Sequence, residues 1–140
     1  MLPSSTAMQP QLSTLDHIHV FVADRSAAEA WYGRVLNLKR VERLVFWTAD
    51  HGPLTLTNAN DQVHIALFER PREKSRTTVA FGVGGAELLA WQRHLKAELG
   101  RELPLVDHEV AWSLYFEDPD GNPFEITSYD YDLVRSQRNV

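Results

Sequence analysis

Trp112-Ser113-Leu114-Tyr115-Phe116-Glu117-Asp118-Pro119-Asp120-Gly121-Asn122-Pro123-Phe124-Glu125-Ile126-Thr127 reads as two β-strands joined by a tight turn. Within the turn Pro119 presets φ, Asp120 can hydrogen-bond its own backbone, and Gly121 takes a positive φ at no steric cost. On either side a period of two sorts the residues into faces. Trp112, Leu114, Phe116, Phe124 and Ile126 share an apolar face. Ser113, Tyr115, Glu125 and Thr127 point the other way, as either a chemical site or a solvated outer surface.

Upstream of this hairpin, Thr77 to Val83 is a predicted strand, followed by Gly84 and Gly85. A helix is predicted from about Ala86 to Leu99, with Leu88, Trp91, Leu95 and Leu99 on one side and Gly100 as its stop. A strand around Leu105 to Ala111 precedes the hairpin. The first half of the chain repeats this order. Leu15-Asp16-His17-Ile18-His19-Val20-Phe21-Val22-Ala23 is a predicted strand with Ile18, Val20 and Val22 on one face and His17, His19 and Phe21 on the other. Ser26 and Glu29 have capping-box spacing, so a helix is expected to start near Ser26. Ala27, Ala28, Trp31, Tyr32, Val35 and Leu36 give it an apolar stripe, and Asn37 suits a left-handed exit. Strands are then expected over Arg40 to Thr48, Leu54 to Thr57 and Gln62 to Phe68.

Two β-α-β-β-β units of about 55 residues each therefore follow from pattern, at 14–69 and 76–130, with a charged linker between them. They form one domain over 14–130, preceded by a flexible leader at 1–13 and followed by a polar tail at 131–140 that packs loosely or crosses to a partner. One helix per four strands makes the class α+β, with a curved mixed sheet around a cleft and not a doubly wound parallel sheet.

At 140 residues the chain fits a single domain. A net charge of −5 without a basic cluster argues against nucleic acid. No apolar run approaches a membrane span. With no Cys, disulfides, thiolate metal sites and a cysteine nucleophile are excluded. The leader lacks the regions of a signal peptide, so a cytoplasmic location is expected.

The strand faces opposite the helices carry His17, His19, Phe21, His64, Ala66, Thr78, Ala80, Ser113, Tyr115, Glu125 and Thr127. Three imidazoles and a carboxylate exceed what a satisfied core usually holds. His17, His64 and Glu125 compose a two-His-one-carboxylate set suited to one divalent ion, Zn, Ni, Mn or Fe, with Tyr115 as a nearby donor or acid. The alternative for each His is a hydrogen-bonded strand residue. His51, His94 and His108 fall in a turn, on a polar helix flank and at a strand edge, and are set aside.

Leu15-Asp16-His17-Ile18 through Asp24, Trp31-Tyr32 through Val35-Leu36, and Asp118-Pro119-Asp120-Gly121-Asn122-Pro123-Phe124-Glu125 together resemble the vicinal oxygen chelate superfamily. That group includes glyoxalase I, extradiol dioxygenases, methylmalonyl-CoA epimerase, fosfomycin-resistance thiol transferases and bleomycin-binding proteins. The resemblance implies paired modules, a homodimer, and metal ligands from up to four equivalent strand positions. His17 matches the first-strand His, Glu125 the last-strand Glu, and His64 the fourth-strand ligand of glyoxalase-like members. Thr78 stands where most metal-binding members open the second module with His. Ser113 and Tyr115 match substrate-contacting positions of the fosfomycin enzymes.

The resulting expectation is a glyoxalase-like, metal-dependent lyase, isomerase or thiol transferase acting on a small oxygen-chelating substrate. Glu125 and Tyr115 are its expected catalytic groups, and His19, Phe21, Trp47, Thr78 and Ser113 its substrate contacts. The alternative is a metal-free binding protein of the bleomycin-resistance type, whose negative charge and aromatic walls suit a flat cationic ligand. The resemblance further implies that a metal site can be shared across a dimer, with Glu125 serving the His17 of a second copy.

Overall fold

A computed structural model describes residues 9–73, 75 and 77–138. The first eight positions of the expected leader lie outside the described residues. Strands β1 (Ile18–Val22), β2 (Lys39–Arg40), β3 (Leu54–Thr57) and β4 (His64–Glu69) form one sheet in the order β1-β4-β3-β2. Strands β5 (Val79–Gly82), β6 (Val106–Asp107), β7 (Trp112–Glu117) and β8 (Pro123–Ser128) form a second in the equivalent order β5-β8-β7-β6. In each sheet the first strand runs parallel to the last and the other pairs are antiparallel, so the repeat seen in the sequence is a repeat in space. The two sheets stay separate and do not close into a barrel. No helix among the described residues is long and apolar enough to cross a membrane.

Helix α1 (Arg25–Leu36) starts two residues earlier than the capping-box spacing implies, because Asp24, not Ser26, caps it by accepting from the Ala27 amide at 3.1 Å. Glu29 is thereby released from capping and instead holds Arg40 in a two-pronged pair at 2.6 and 2.7 Å. Asn37 closes the helix in the left-handed conformation, φ 57°, as its residue type suggests. Helix α2 (Gly85–Leu99) ends on Gly100 at φ 73°. Ala28, Trp31, Tyr32, Val35 and Leu36 of α1 and Leu88, Leu89 and Leu95 of α2 are buried against the apolar sheet faces, where Val20, Val22, Ile65, Leu67, Trp112, Leu114, Phe116, Phe124 and Ile126 meet them. Strand parity is therefore as the sequence implies: the faces bearing His17, His64, Tyr115 and Glu125 are the ones the helices leave uncovered.

Three expected elements differ. The strand expected over Arg40 to Thr48 pairs only at Lys39 and Arg40, and the chain then winds into 3₁₀ turns over Glu42–His51. No residue of those turns is buried, so no half-covered sheet face rewards an extended chain there, and Thr48 Oγ1 bonds back to the Val45 carbonyl at 2.8 Å. The strand expected over Leu105 to Ala111 shrinks to two residues, because Glu109 enters the left-handed region at φ 71° and ends the pairing. The segment read as a loose tail forms helix α3 (Tyr131–Gln137), with Val134 fully buried and Tyr131 stacked on Trp112 at 5.2 Å. Gly85 permits this docking, since a Cβ there would meet Asp130 and Leu133 side chains at 2.8 Å.

The two modules are joined at the β7–β8 turn. Asp118, 4% exposed, accepts from Tyr32 Oη at 2.6 Å, from Asn122 Nδ2 at 2.8 Å and from the Asp120 and Asn122 amides at 2.9 Å each. Burial above all, then the adjacent Asp118 carboxylate, holds the Tyr32 phenol far above its ordinary 10.0. The folded chain thus keeps a proton that the unfolded chain loses, so stability from this group is whole below pH 10.0 and falls as pH rises beyond it. Urea unfolding from about pH 8 to about pH 11 should show an alkaline loss that Tyr32→Phe flattens. At neutral pH that variant should cost about 2 kcal/mol, and Asp118→Ala about 3 kcal/mol or more by orphaning several donors.

Candidate functional site

The uncovered faces present two half-sites, one per module. In the first, Asp16, His17, Arg43, Trp47, Asp61 and His64 line a cavity of about 250 Å³. His17 projects from just before β1 and His64 opens β4, so the parallel pairing of these strands sets both imidazoles at one end of the sheet. Asp16 Oδ2 accepts from His17 Nδ1 at 2.8 Å, and His17 Nε2 lies 3.0 Å from His19 Nε2. His64 is held on both sides: Nδ1 lies 3.1 Å from the Asp16 carbonyl and Nε2 2.8 Å from Asp61 Oδ1. Both partners are acceptors, so the ring makes both bonds only with a proton on each nitrogen. Trp47, 45% exposed on the 3₁₀ turns, walls this cavity.

The second half-site lies on β7 and β8, where Tyr115 faces Glu125 and Ser113 faces Thr127 in register. Ser113 is fully buried and donates to Glu125 Oε2 at 2.7 Å, with Thr127 Oγ1 at 2.9 Å on its other side. The Tyr115 hydroxyl lies 2.8 Å from His108 Nε2. Desolvation pushes the Tyr115 phenol above its usual 10.0, with Ser113 opposing and the Glu125 carboxylate adding to the rise. Tyr115 therefore carries its proton at neutral pH, with its hydroxyl in hydrogen-bond contact with the His108 ring. Here sequence reasoning set aside a residue that belongs to the cluster: His108 sits beyond the two-residue β6, and only its return toward Tyr115 shows the pairing. Asp16 and Asp61 were missed as well. Asp16 adjoins His17 in sequence, which would have been the signal, but strand alternation assigns neighbours to opposite faces.

A third cavity, of about 580 Å³, runs between the modules along β1 and is lined by His17, His19, Phe21, Ser75, Thr77 and Val79. Thr78 precedes β5 as an exposed residue outside the strand. His17 and His64 thus share one cavity while Glu125 sits with Ser113 in the other module. Among the described residues, no group of three His, Asp or Glu side chains converges to hold a metal ion within one chain.

Residues 14–126 match the family model described as Glyoxalase/Bleomycin resistance protein/Dioxygenase superfamily. No curated protein matches the chain. Among solved structures, the fosfomycin resistance protein FosX from Listeria monocytogenes is 22% identical with a TM-score of 0.66, covering 89% of this chain and 99% of its own. The same protein complexed with Mn(II) and sulfate gives 19% identity and a TM-score of 0.62, over 91% of this chain and 99% of that one. Lactoylglutathione lyase from Agrobacterium tumefaciens is 20% identical with a TM-score of 0.62, over 86% of this chain and 97% of its own. At these identities the likeness is one of fold.

The hydrogen bond from His64, then that from Thr57, holds the Asp61 carboxyl below its ordinary 3.8. Any stability this gives is present above pH 3.8 and lost as the pH falls through the lowered value. In carboxyl carbon NMR titrations, His64→Ala should move the Asp61 midpoint up toward 3.8; an unmoved midpoint would mean that the ring does not hold the carboxylate.

Proposed function

Because the chain belongs to the Glyoxalase/Bleomycin resistance protein/Dioxygenase superfamily, we propose that it is a divalent-metal-dependent enzyme of lyase, isomerase or thiol-transferase type acting on a small oxygen-chelating substrate. The observation that carries this reading is the Asp16–His17 pair. A carboxylate holding Nδ1–H of an imidazole that lines a cavity is the arrangement by which proteins orient a metal-ligating histidine. The Mn(II) bound by the FosX neighbour supports a divalent ion for this fold.

The donors fit such an ion only in part within one chain, because the imidazoles and Glu125 occupy different half-sites. We therefore infer a homodimer in which His17 and His64 of one copy meet Glu125 of a second. His64 would exchange its Asp61 hydrogen bond for the ion. When bound, the ion supplies polarisation of adjacent substrate oxygens and stabilisation of developing negative charge. Around it, Glu125 is positioned to take a proton, with Ser113 orienting its carboxylate, and Tyr115 to deliver one from a phenol kept protonated by its surroundings. His19 and Phe21 along the inter-module cavity, Thr78 just before β5, and Trp47 over the first half-site, are the proposed substrate contacts.

A metal-free binding protein is the second reading. Thr78, where a ligating imidazole is expected, favours it, as does a half-exposed Trp47 beside a cavity in a chain of net charge −5. Metal analysis of untagged protein separates the two. The enzyme reading expects near-stoichiometric divalent metal in the wild type and its loss in a His17→Ala, Glu125→Gln double variant; equal, near-zero metal in both would leave the binding protein. Asp16→Asn should weaken metal binding about tenfold by releasing the ring it orients. In a panel of thiol adducts and epoxides, Tyr115→Phe should lower kcat about a hundredfold with little change in KM.

A further inference from the structure

On the side of the sheets that the helices cover, a separate cavity of about 460 Å³ opens where the modules meet. Leu36, Leu38 and Val63 of the first module and Phe81, Trp91 and Ile126 of the second give it an apolar lining. Strand β8 parts it from both half-sites, because Ile126 lines this cavity while its neighbour Glu125 faces the other way. The volume falls within the roughly 300–1,000 Å³ of small-molecule sites, which join an apolar lining to a few placed polar groups. Two such groups stand here. Asn58 Oδ1 accepts from the Gln62 and Val63 amides at 2.9 and 3.0 Å, which fixes the side-chain amide and leaves Nδ2 as a donor. Glu87 lies one turn before Trp91 on α2, and the two also wall an adjoining hollow of about 330 Å³ with Arg34 and His94.

In that hollow the other polar side chains are already engaged. Arg34 pairs with Glu98 at 3.0 Å, and His94 Nε2 donates to the Val35 carbonyl at 2.9 Å while its ring meets Trp91 edge-on at 5.5 Å. Glu87 is exposed and makes no ion pair among the described residues. A carboxylate beside a half-buried indole, over an apolar hollow, suits an organic ammonium. The carboxylate meets its N–H donors, the ring face its charge, and the lining its hydrocarbon.

We propose that this cavity is a second binding site, for an organic amine with an aromatic or branched apolar body, whose ammonium pairs with Glu87 against Trp91. Binding there is noncovalent, needs no metal ion and is independent of the function proposed above.

The test is calorimetric titration of untagged full-length protein with naphthylethylamine and with naphthylacetate, which share a ring system and differ in charge. The indole N–H signals of the four tryptophans in nitrogen-labelled protein locate the probe, and thermal melts check that each variant is folded. The Trp91 signal should shift saturably with the amine, and the acid should bind at least about tenfold more weakly. Glu87→Gln should weaken the amine about tenfold and bring the two probes level, whereas the exposed control Glu42→Gln should bind like wild type. Equal affinity for both probes in the wild type, or an amine affinity untouched by Glu87→Gln, overturns the proposal. So does a shift at Trp47 in place of Trp91, which would put the amine in the first half-site. A Trp91 signal that moves on dilution and ignores the amine would make the cavity an interface between copies, and the amine site would fall.

Discussion

A buried carboxylate can persist only if its oxygens are met by donors, and Asp118 is the point on which this structure turns. Its four hydrogen bonds do two things at once. Those from the Asp120 and Asn122 amides and the Asn122 side chain shape the β7–β8 turn, and that from Tyr32 binds the turn to the helix of the other module. Asn122, so oriented, donates to the Phe21 carbonyl at 2.9 Å and accepts from the Ser75 amide at 2.8 Å, and Asp120 accepts from the Ala23 amide at 3.2 Å. A hairpin of the second module thereby reaches the backbone of β1, the strand that carries the histidines. The cavity between the modules, and the rings along it, are placed by this clasp.

With the helices of both modules covering one side of the sheets, the polar faces are left open and apart. The first holds imidazoles steadied by Asp16 and Asp61; the second holds a carboxylate and a phenol steadied by Ser113 and His108. The halves are complementary in chemistry: one offers nitrogen donors, the other an acid and a proton. Each is tied internally by hydrogen bonds, so neither pays for an unsatisfied buried group while separate, and no buried side-chain polar atom among the described residues lacks a partner. A face so constituted is stable alone.

Much of this was legible in the chain. The 3.6-residue stripes of α1 and α2 and the period-two faces of β1, β4, β7 and β8 sort residues correctly because burial on one side leaves no freedom of register. The repeat emerged for the same reason. Sequence reading failed where burial is weak: the expected strand after Arg40 became 3₁₀ turns without a buried residue, and the expected tail became a helix whose partner groove exists only because Gly85 lacks a side chain. It also failed for His108 and Asp16, whose roles depend on a loop's return and on a chain just short of a strand, where alternation no longer governs.

By itself, then, the sequence determined the two-module α+β architecture, the side of each sheet that faces away from the helices, and the chemical types gathered there, since these follow from periodicity, turn residues and composition. Only the tertiary structure decided which of those groups meet. It kept Glu125 apart from His17 and His64 within one chain, tied His64 to Asp61, and brought His19 Nε2 within 3.0 Å of His17 Nε2. Those outcomes depend on how two sheets sit beside each other and where individual rings rotate, and local pattern carries no term for either.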